Sequence, residues 1–291
     1  MEVITKIGVL RNRLAREGAV ALVPTMGNLH AGHIDLVRVA RASAGVSGCV
    51  VVSIFVNRLQ FAPNEDFDKY PRTFAKDCER CAAAGVDVVF APDESELYSI
   101  AQTYVVEPGE IQHVLDGQVR PGHFRGVATV VMKLFNIVQP RFAVFGKKDC
   151  QQCRVLSNMV EQFNLPIELV LADTVRADDG LALSSRNSYL SAEQRAEAPR
   201  LYTLLVEVRD AMQQPGTNAA LLETTMMSTL AAHGWTPDYV AIRRRSDLGV
   251  PTAADRSLVV LAAARLGKAR LIDNLEITLP ELAKKFLKHQ H

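Results

Sequence analysis

The sequence predicts a parallel α/β sheet domain followed by a smaller α+β domain, on three observations. Short, almost wholly apolar runs rich in β-branched residues recur up to about residue 174. Stretches of helical period separate them, the alternation expected of a parallel sheet with right-handed crossovers. After that point the rhythm changes to two helices and then a group of strands.

The predicted strands of the first domain are residues 19–23, 49–56, 87–91, 141–145 and 167–171. Each is short and apolar nearly throughout, as for strands covered on both faces. Residues 33–44 place Ile34, Val37 and Ala40 at helical spacing, and 73–84 and 127–138 do likewise. The last ends at Pro140, which cannot continue a helix. Further on, 191–213 and 217–233 read as helices separated by Gln214-Pro215-Gly216, and Ser191 ahead of Glu193 and Gln194 forms an N-cap signature. Strands are predicted at 238–243, 257–263 and 269–272, with a last helix near 279–288. The expected domains are therefore 1–174 and 175–291.

Composition narrows the function classes. The 291 residues are 48% apolar and 22% charged, an ordinary globular balance. A net charge of +1 gives no basic field for nucleic acid or a membrane surface, and Arg243-Arg244-Arg245 reads as a solvated face. Nowhere do 18 apolar residues run together, so no membrane span is expected. The first residues, MEVITKIGVLRNRLAREG, mix both charges and lack the apolar core of a signal peptide. Five cysteines disfavour a disulfide framework, which makes the cytoplasm the expected compartment.

The segment TMGNLHAGH, residues 25–33, leaves the first strand and enters the next helix. Ligands of open α/β sheets sit at this edge, where helix N-termini present free N–H groups and partial positive charge. Gly27 and Gly32 let the backbone bend and approach a ligand. His30 and His33, three apart, share one side of the helix start and can donate hydrogen bonds to phosphate oxygens. Metal binding by this H-x-x-H pair, and simple capping or packing, are the competing readings. Neither the P-loop pattern nor the dinucleotide glycine pattern is present. H-A-G-H resembles the H-x-G-H signature of the adenylyl-transferring superfamily, which includes nucleotidylyltransferases and class I aminoacyl-tRNA synthetases.

Four further segments accompany it in order: VSIFVN running into Leu59-Gln60-Phe61, RPGHFRGVAT from Arg120, Phe145-Gly146-Lys147-Lys148-Asp149, and Leu183-Ser184-Ser185-Arg186-Asn187. With Arg265-Leu266-Gly267 and Leu271-Ile272-Asp273-Asn274 near the C-terminus, the whole chain resembles the pantothenate synthetase family. The resemblance implies a Rossmann-like N-terminal domain binding ATP and pantoate, and a C-terminal domain that closes over the site. It implies condensation of pantoate with β-alanine through a pantoyl adenylate, releasing AMP and pyrophosphate. ATP contacts are expected from Met26, Gly27, His30, His33, Gly146, Lys147, Lys148, Asp149, Val175, Leu183, Ser184, Ser185 and Arg186. Among these His33, His30, Lys148 and Arg186 would be catalytic, with His33 in an acid role. Gln60 and Gln152 are expected on pantoate, since a neutral amide both donates and accepts. Mg²⁺ is expected chiefly on the phosphates, with Asp77 or Asp149 lending a ligand. A homodimer is implied.

The chain departs from the family pattern at several positions. Arg58 stands where proline is usual, which is expected to loosen the loop before Gln60. Leu183 replaces methionine and Cys150 replaces tyrosine, while Asn28 and Ala31 are small changes within the turn. Cys78-x-x-Cys81 and Cys150-x-x-Cys153 could suggest zinc or redox chemistry, but both fall in predicted helices where small apolar cysteines pack well. The segment from Arg120 to Gly126 is a candidate cover for the reactive intermediate. Rival readings are a nucleotidylyltransferase that keeps AMP on its product and a non-catalytic relative.

Overall fold

The computed structural model describes residues 1–62, 65 and 67–280. Among them, six parallel strands form the first sheet: β1 (Glu2–Ile4), β2 (Val20–Thr25), β3 (Cys49–Ile54), β4 (Val88–Phe90), β5 (Phe142–Gly146) and β6 (Glu168–Ala172). Their spatial order is β1-β4-β3-β2-β5-β6. The chain winds outward from β2 through β3 to β4, then returns to lay β5 on the other side of β2. That reversal makes the gap between the carboxyl ends of β2 and β5 the switch point where α/β folds bind ligands.

Ala21, Leu22 and Val23 of β2 are wholly buried, which explains a strand without polar alternation. Helices α1 (Ile7–Leu14), α6 (His123–Val138) and α7 (Cys150–Gln162) pack on one face of the sheet, and α2 (Ala31–Ala44) and α3 (Phe74–Ala83) on the other. Two four-residue helices, α4 (Glu94–Leu97) and α5 (Asp116–Val119), lie in the connections. Sequence patterning passes over β1 and α1, because β1 has three residues of which two are exposed. It also starts α6 four residues late, at 127. In the structure Gly126 is a helical residue against which a 3₁₀ turn, Arg58–Gln60, is pressed. A Cβ there would stand 2.2 Å from the Leu59 carbonyl oxygen.

The second sheet is antiparallel, with β7 (Thr236–Arg244), β8 (Ser257–Leu266) and β9 (Ala269–Thr278) in sequence order. The single helix expected over 191–213 is two, α8 (Ala192–Glu197) and α9 (Arg200–Met212). Pro199 at the join has no N–H and its ring obstructs the preceding turn, so the axis breaks there. Ser191 and Gln194 do form the capping box, Gln194 N–H to Ser191 Oγ at 3.2 Å and Ser191 N–H to Gln194 Oε1 at 3.1 Å. Helix α10 (Ala219–Ala232) is capped by Asn218. Strand β9 runs six residues beyond the expected end at 272, through the buried polar pair Asp273 and Asn274. The helix expected near 279–288 lies almost wholly outside the described residues. Among the described residues no helix is long and apolar enough to cross a membrane.

Candidate active site

The turn after β2 is held from beneath. Gly27 (φ +83°) and Asn28 (φ +49°) take left-handed conformations that reverse the chain. Asp77 of α3, 1% exposed, collects the main-chain donors this creates. Asn28 N–H donates to its Oδ2 (2.9 Å), Leu29 N–H to its Oδ1 (2.8 Å), and Thr73 Oγ1–H to Oδ2 (3.1 Å). Arg80 of the same helix donates to the Leu29 carbonyl. The expectation that Asp77 lends a metal ligand is therefore corrected: both oxygens are occupied under the turn, away from the cleft. Gly27 sits on the same buried side, its absent Cβ 3.2 Å from Asp77 Oδ2.

His30 is the N-cap of α2. Its Nδ1 accepts the Gly32 N–H (3.1 Å), and His33 Nδ1 accepts the His30 N–H (3.3 Å). The capping alternative is thus realised, and it leaves chemistry available. An Nδ1 that accepts a main-chain N–H assigns the neutral ring's proton to Nε2. The rings lie 4.1 Å apart between centroids and both line the cleft. Burial, then the charge of Lys148, holds His30 down at about 4. Burial, then His30 and Lys148, holds His33 at about 3. Near neutrality the pair are two uncharged N–H donors at a helix N-terminus.

The opposite wall follows β5. Gly146 leads into a 3₁₀ turn, Lys147–Asp149, at the start of α7. Lys148 and Asp149 line the cleft, whereas Lys147 turns aside to an ion pair with Asp173 (2.7 Å). A hairpin closes the third side: Leu183 N–H donates to the Val175 carbonyl (3.0 Å), and both residues line the cleft. Ser184 Oγ accepts the Arg186 N–H (3.2 Å), and Ser185 Oγ donates to the Asn28 carbonyl (3.2 Å), joining this segment to the histidine turn. Met26, Ser184, Ser185 and Arg186 complete the lining.

Beyond Met26, His33 and Asp149 the cleft continues into a second pocket, lined by Gln60 and Gln152 with Phe55, Val130, Val131, Leu134 and Phe145. Gln60 is fixed on every side. Its Oε1 accepts Asn57 Nδ2–H (3.1 Å), and its Nε2 lies 3.1 Å from Met26 Sδ. Asn57, 1% exposed, also donates to the Gly126 carbonyl (3.1 Å) and accepts the Tyr98 hydroxyl (2.7 Å). The Gln60 carbonyl accepts His123 Nδ1–H (2.9 Å), while Arg120, paired with Glu65 at 2.6 Å, donates to His123 Nε2 (3.0 Å). Burial, then the Arg120 charge, holds His123 at about 4. The RPGHFRG segment therefore props up Gln60 from behind, while Arg120 and Phe124 also line a pocket with Lys148, Gln152 and Arg186. Arg58 likewise pins its turn, with an ion pair to Glu94 (3.2 Å) and its guanidinium 4.0 Å from the Phe67 ring centroid. Its side chain anchors the loop where loosening was expected.

Sequence reasoning missed Asp77 as a turn anchor, and gave no role to Asn57, His123 or Asn274. Asn57 stands inside a matched motif, and a buried asparagine after an apolar strand is a signal that could have found it. The four thiols of the C-x-x-C pairs are free, in α3 and α7. Burial lifts Cys81 to about 12 and Cys150 to about 11.

A parallel sheet with a switch-point cleft, neutral imidazole donors at a helix N-terminus and a lysine on the facing turn define a nucleotide-binding α/β enzyme. The family is narrower than that class. The family described as pantoate-beta-alanine ligase matches residues 2–276, and the chain belongs to it. It is 57% identical over 278 residues to the pantothenate synthetase of Nitrosospira multiformis, covering 96% of this chain and 99% of that one. It is 58% identical to that of Chromobacterium violaceum, covering 95% and 99%. The crystal structure of the pantothenate synthetase from Thermus thermophilus is similar at a TM-score of 0.88 and 42% identity, over 96% of this chain and all (100%) of that one. The Francisella tularensis pantoate-beta-alanine ligase, solved with β-γ ATP and β-alanine, matches at 0.77 and 32%, over 94% and 97%.

Proposed function

We propose that this chain condenses pantoate with β-alanine at the expense of ATP, through a pantoyl adenylate, releasing pyrophosphate and AMP. One observation carries the reading. The cleft with His30, His33 and Lys148 opens directly into a largely apolar pocket bearing the carboxamides of Gln60 and Gln152 beside that of Asn57, with Met26, His33 and Asp149 common to both. ATP phosphates fit the first and a branched hydroxy acid fits the second, so the carboxylate meets the α-phosphorus at their junction.

Attack of the pantoate carboxylate on the α-phosphorus expels pyrophosphate in line, and the protein's work is positioning and charge stabilisation. The Nε2–H groups of His30 and His33 donate to phosphate oxygens, Lys148 and Arg186 supply positive charge, and Ser184 and Ser185 order the loop around them. A neutral His33 serves as a hydrogen-bond donor, which refines the acid role implied by resemblance. Gln60 and Gln152 hold the acid without placing a cation against its nucleophilic oxygen. The neutral amine of β-alanine then attacks the mixed anhydride: the C–N bond forms as the acyl–phosphate bond breaks, AMP leaves, and the proton lost by nitrogen passes to solvent. Val175 and Leu183 flank the nucleotide base.

Asp149, beside Lys148, and Asp173, paired with Lys147, are carboxylates on the cleft, and no cluster of three ligating side chains exists among the described residues. A donor set of that size suits Mg²⁺ brought in by the phosphates, with Asp149 alongside. When bound, the ion offsets phosphate charge. The division at residues 174 and 175, closure of the second domain over the cleft, a homodimer of the 31.9 kDa chain and a cytoplasmic location belong to the same reading. Five free thiols support the last.

Pantoate-dependent exchange between ATP and pyrophosphate, with AMP released only on adding β-alanine, is the test. Folded protein without exchange would overturn the reading, and AMP retained in a dinucleotide product would favour a nucleotidylyltransferase.

A further inference from the structure

Strand β9 carries Asp273 and Asn274 side by side, 4% and 7% exposed, in a strand whose other buried residues are apolar. Buried polar groups are destabilising unless hydrogen-bonded, so their partners reveal their use. Asp273 takes two bonds from Arg176 (2.5 and 2.9 Å), whose guanidinium also lies 3.9 Å from the Tyr202 ring centroid. Arg176 donates to the Gly180 carbonyl (3.1 Å) within the hairpin that carries Val175 and Leu183. Asn274 reaches the other wall: its Nδ2 donates to the carbonyls of Lys147 and Lys148, both at 2.9 Å. Successive strand residues point to opposite faces. One dipeptide therefore grips the hairpin on one side and the lysine turn on the other.

We propose that Asn274 is a positioning residue for adenylate formation, setting the direction of Lys148 by holding two consecutive carbonyls of its turn. This rests on the reading that Lys148 serves ATP. A carboxamide has two N–H groups and matches two carbonyls; an aspartate would offer none and face both oxygens. The bonds come from the second sheet, so the lysine turn is referenced to β9 as well as to its own strand. Arg176 and Asp273 fix the register of that reference.

A double-mutant cycle between Asn274→Ala and Lys148→Ala tests it. Asn274→Ala is expected to lower kcat for exchange by about 10²-fold, the effect of a displacement near 1 Å. The KM for pantoate should stay within about twofold, because the Gln60 pocket is untouched, and the melting temperature should fall by a few degrees, since two carbonyls lose their donor. In the Lys148→Ala background the same change should cost less than about twofold more, since coupled residues are non-additive. A general structural role would add in full, and full additivity or a wild-type rate overturns the proposal. Should Asn274→Ala not fold, Asn274→Ser, which keeps one donor, replaces it. The cycle is read a second time as ATP affinity by calorimetry, without pantoate. Wild-type protein that binds ATP without pantoate-dependent exchange would sink the reaction assignment, while coupling in ATP affinity still decides the role of Asn274.

Discussion

The Asp77 carboxylate lies 2.8 Å from the main-chain nitrogen of Leu29, one residue before the first cleft histidine. A helix on the far side of the turn thereby sets where both imidazoles begin. Asp77→Asn replaces an acceptor by a donor that faces N–H groups. The expected loss is about 2–3 kcal/mol of stability, the range for a buried charged hydrogen bond, together with exchange activity. Chemical denaturation measures it. Unchanged stability with a raised Mg²⁺ requirement would instead restore Asp77 to the metal.

His30, His33 and His123 are held at about 4, 3 and 4, below the ordinary value of 6.5. Their folded pKa values are depressed, so the stability they contribute is present above pH 6.5 and is lost as pH falls through 4 toward 3. Their imidazole C–H resonances in the free protein should not shift between pH 8 and about 5.5. A midpoint between 6 and 7 for His30 or His33 would contradict the neutral-donor assignment.

Gln60→Leu and Gln152→Leu keep side-chain size but remove the polar partners of the acid's hydroxyls. Each should lower kcat/KM for pantoate by roughly 10- to 100-fold, the effect of an unpaired buried group. An acid lacking those hydroxyls should then be discriminated less well by the variants than by wild type. Equal discrimination would move the hydroxyl contacts elsewhere.

Gly126→Ala would drive a Cβ to 2.2 Å from the Leu59 oxygen and 2.6 Å from the Gln60 nitrogen, both main-chain atoms. The helix or the turn must shift, so we expect a lower melting temperature and a higher pantoate KM together. A stabilised variant with normal kinetics, the usual result of Gly→Ala in a helix, would show the contact to be dispensable.

Arg58→Pro should be tolerated. Asn57 already has φ −84° and ψ 110°, the extended conformation favoured before proline. Stability should change by less than about 1 kcal/mol, since the lost ion pair with Glu94 is exposed on both sides. A large change in pantoate KM would mean that the arginine side chain shapes the pocket itself.

Much of this was legible because apolar runs and helical spacing report burial directly: β2, β3, β5 and α2 fall within a few residues of expectation. What escaped did so for physical reasons. Strand β9 seemed to end at 272 because Asp273 and Asn274 interrupt the apolar pattern, yet their polarity is satisfied by Arg176 and by the lysine turn. Asp77 resembled a free carboxylate because its two main-chain partners lie 48 and 49 residues away, which no spacing rule reveals. The expected helices begin just after Gly126 and run through Pro199. Packing keeps the first within its helix, and ring sterics break the axis at the second.

The two histidines take their orientation from peptide N–H groups, and every residue except proline supplies one. Apart from Gly32, where a Cβ would press on the His30 ring, exchanging side chains around the turn leaves these donors in place and so keeps the proton on the same ring nitrogen. Only a change in the path of the chain between Gly27 and Gly32 would move it. The aim of the cleft is thus written in main-chain geometry, insulated from drift at its borders.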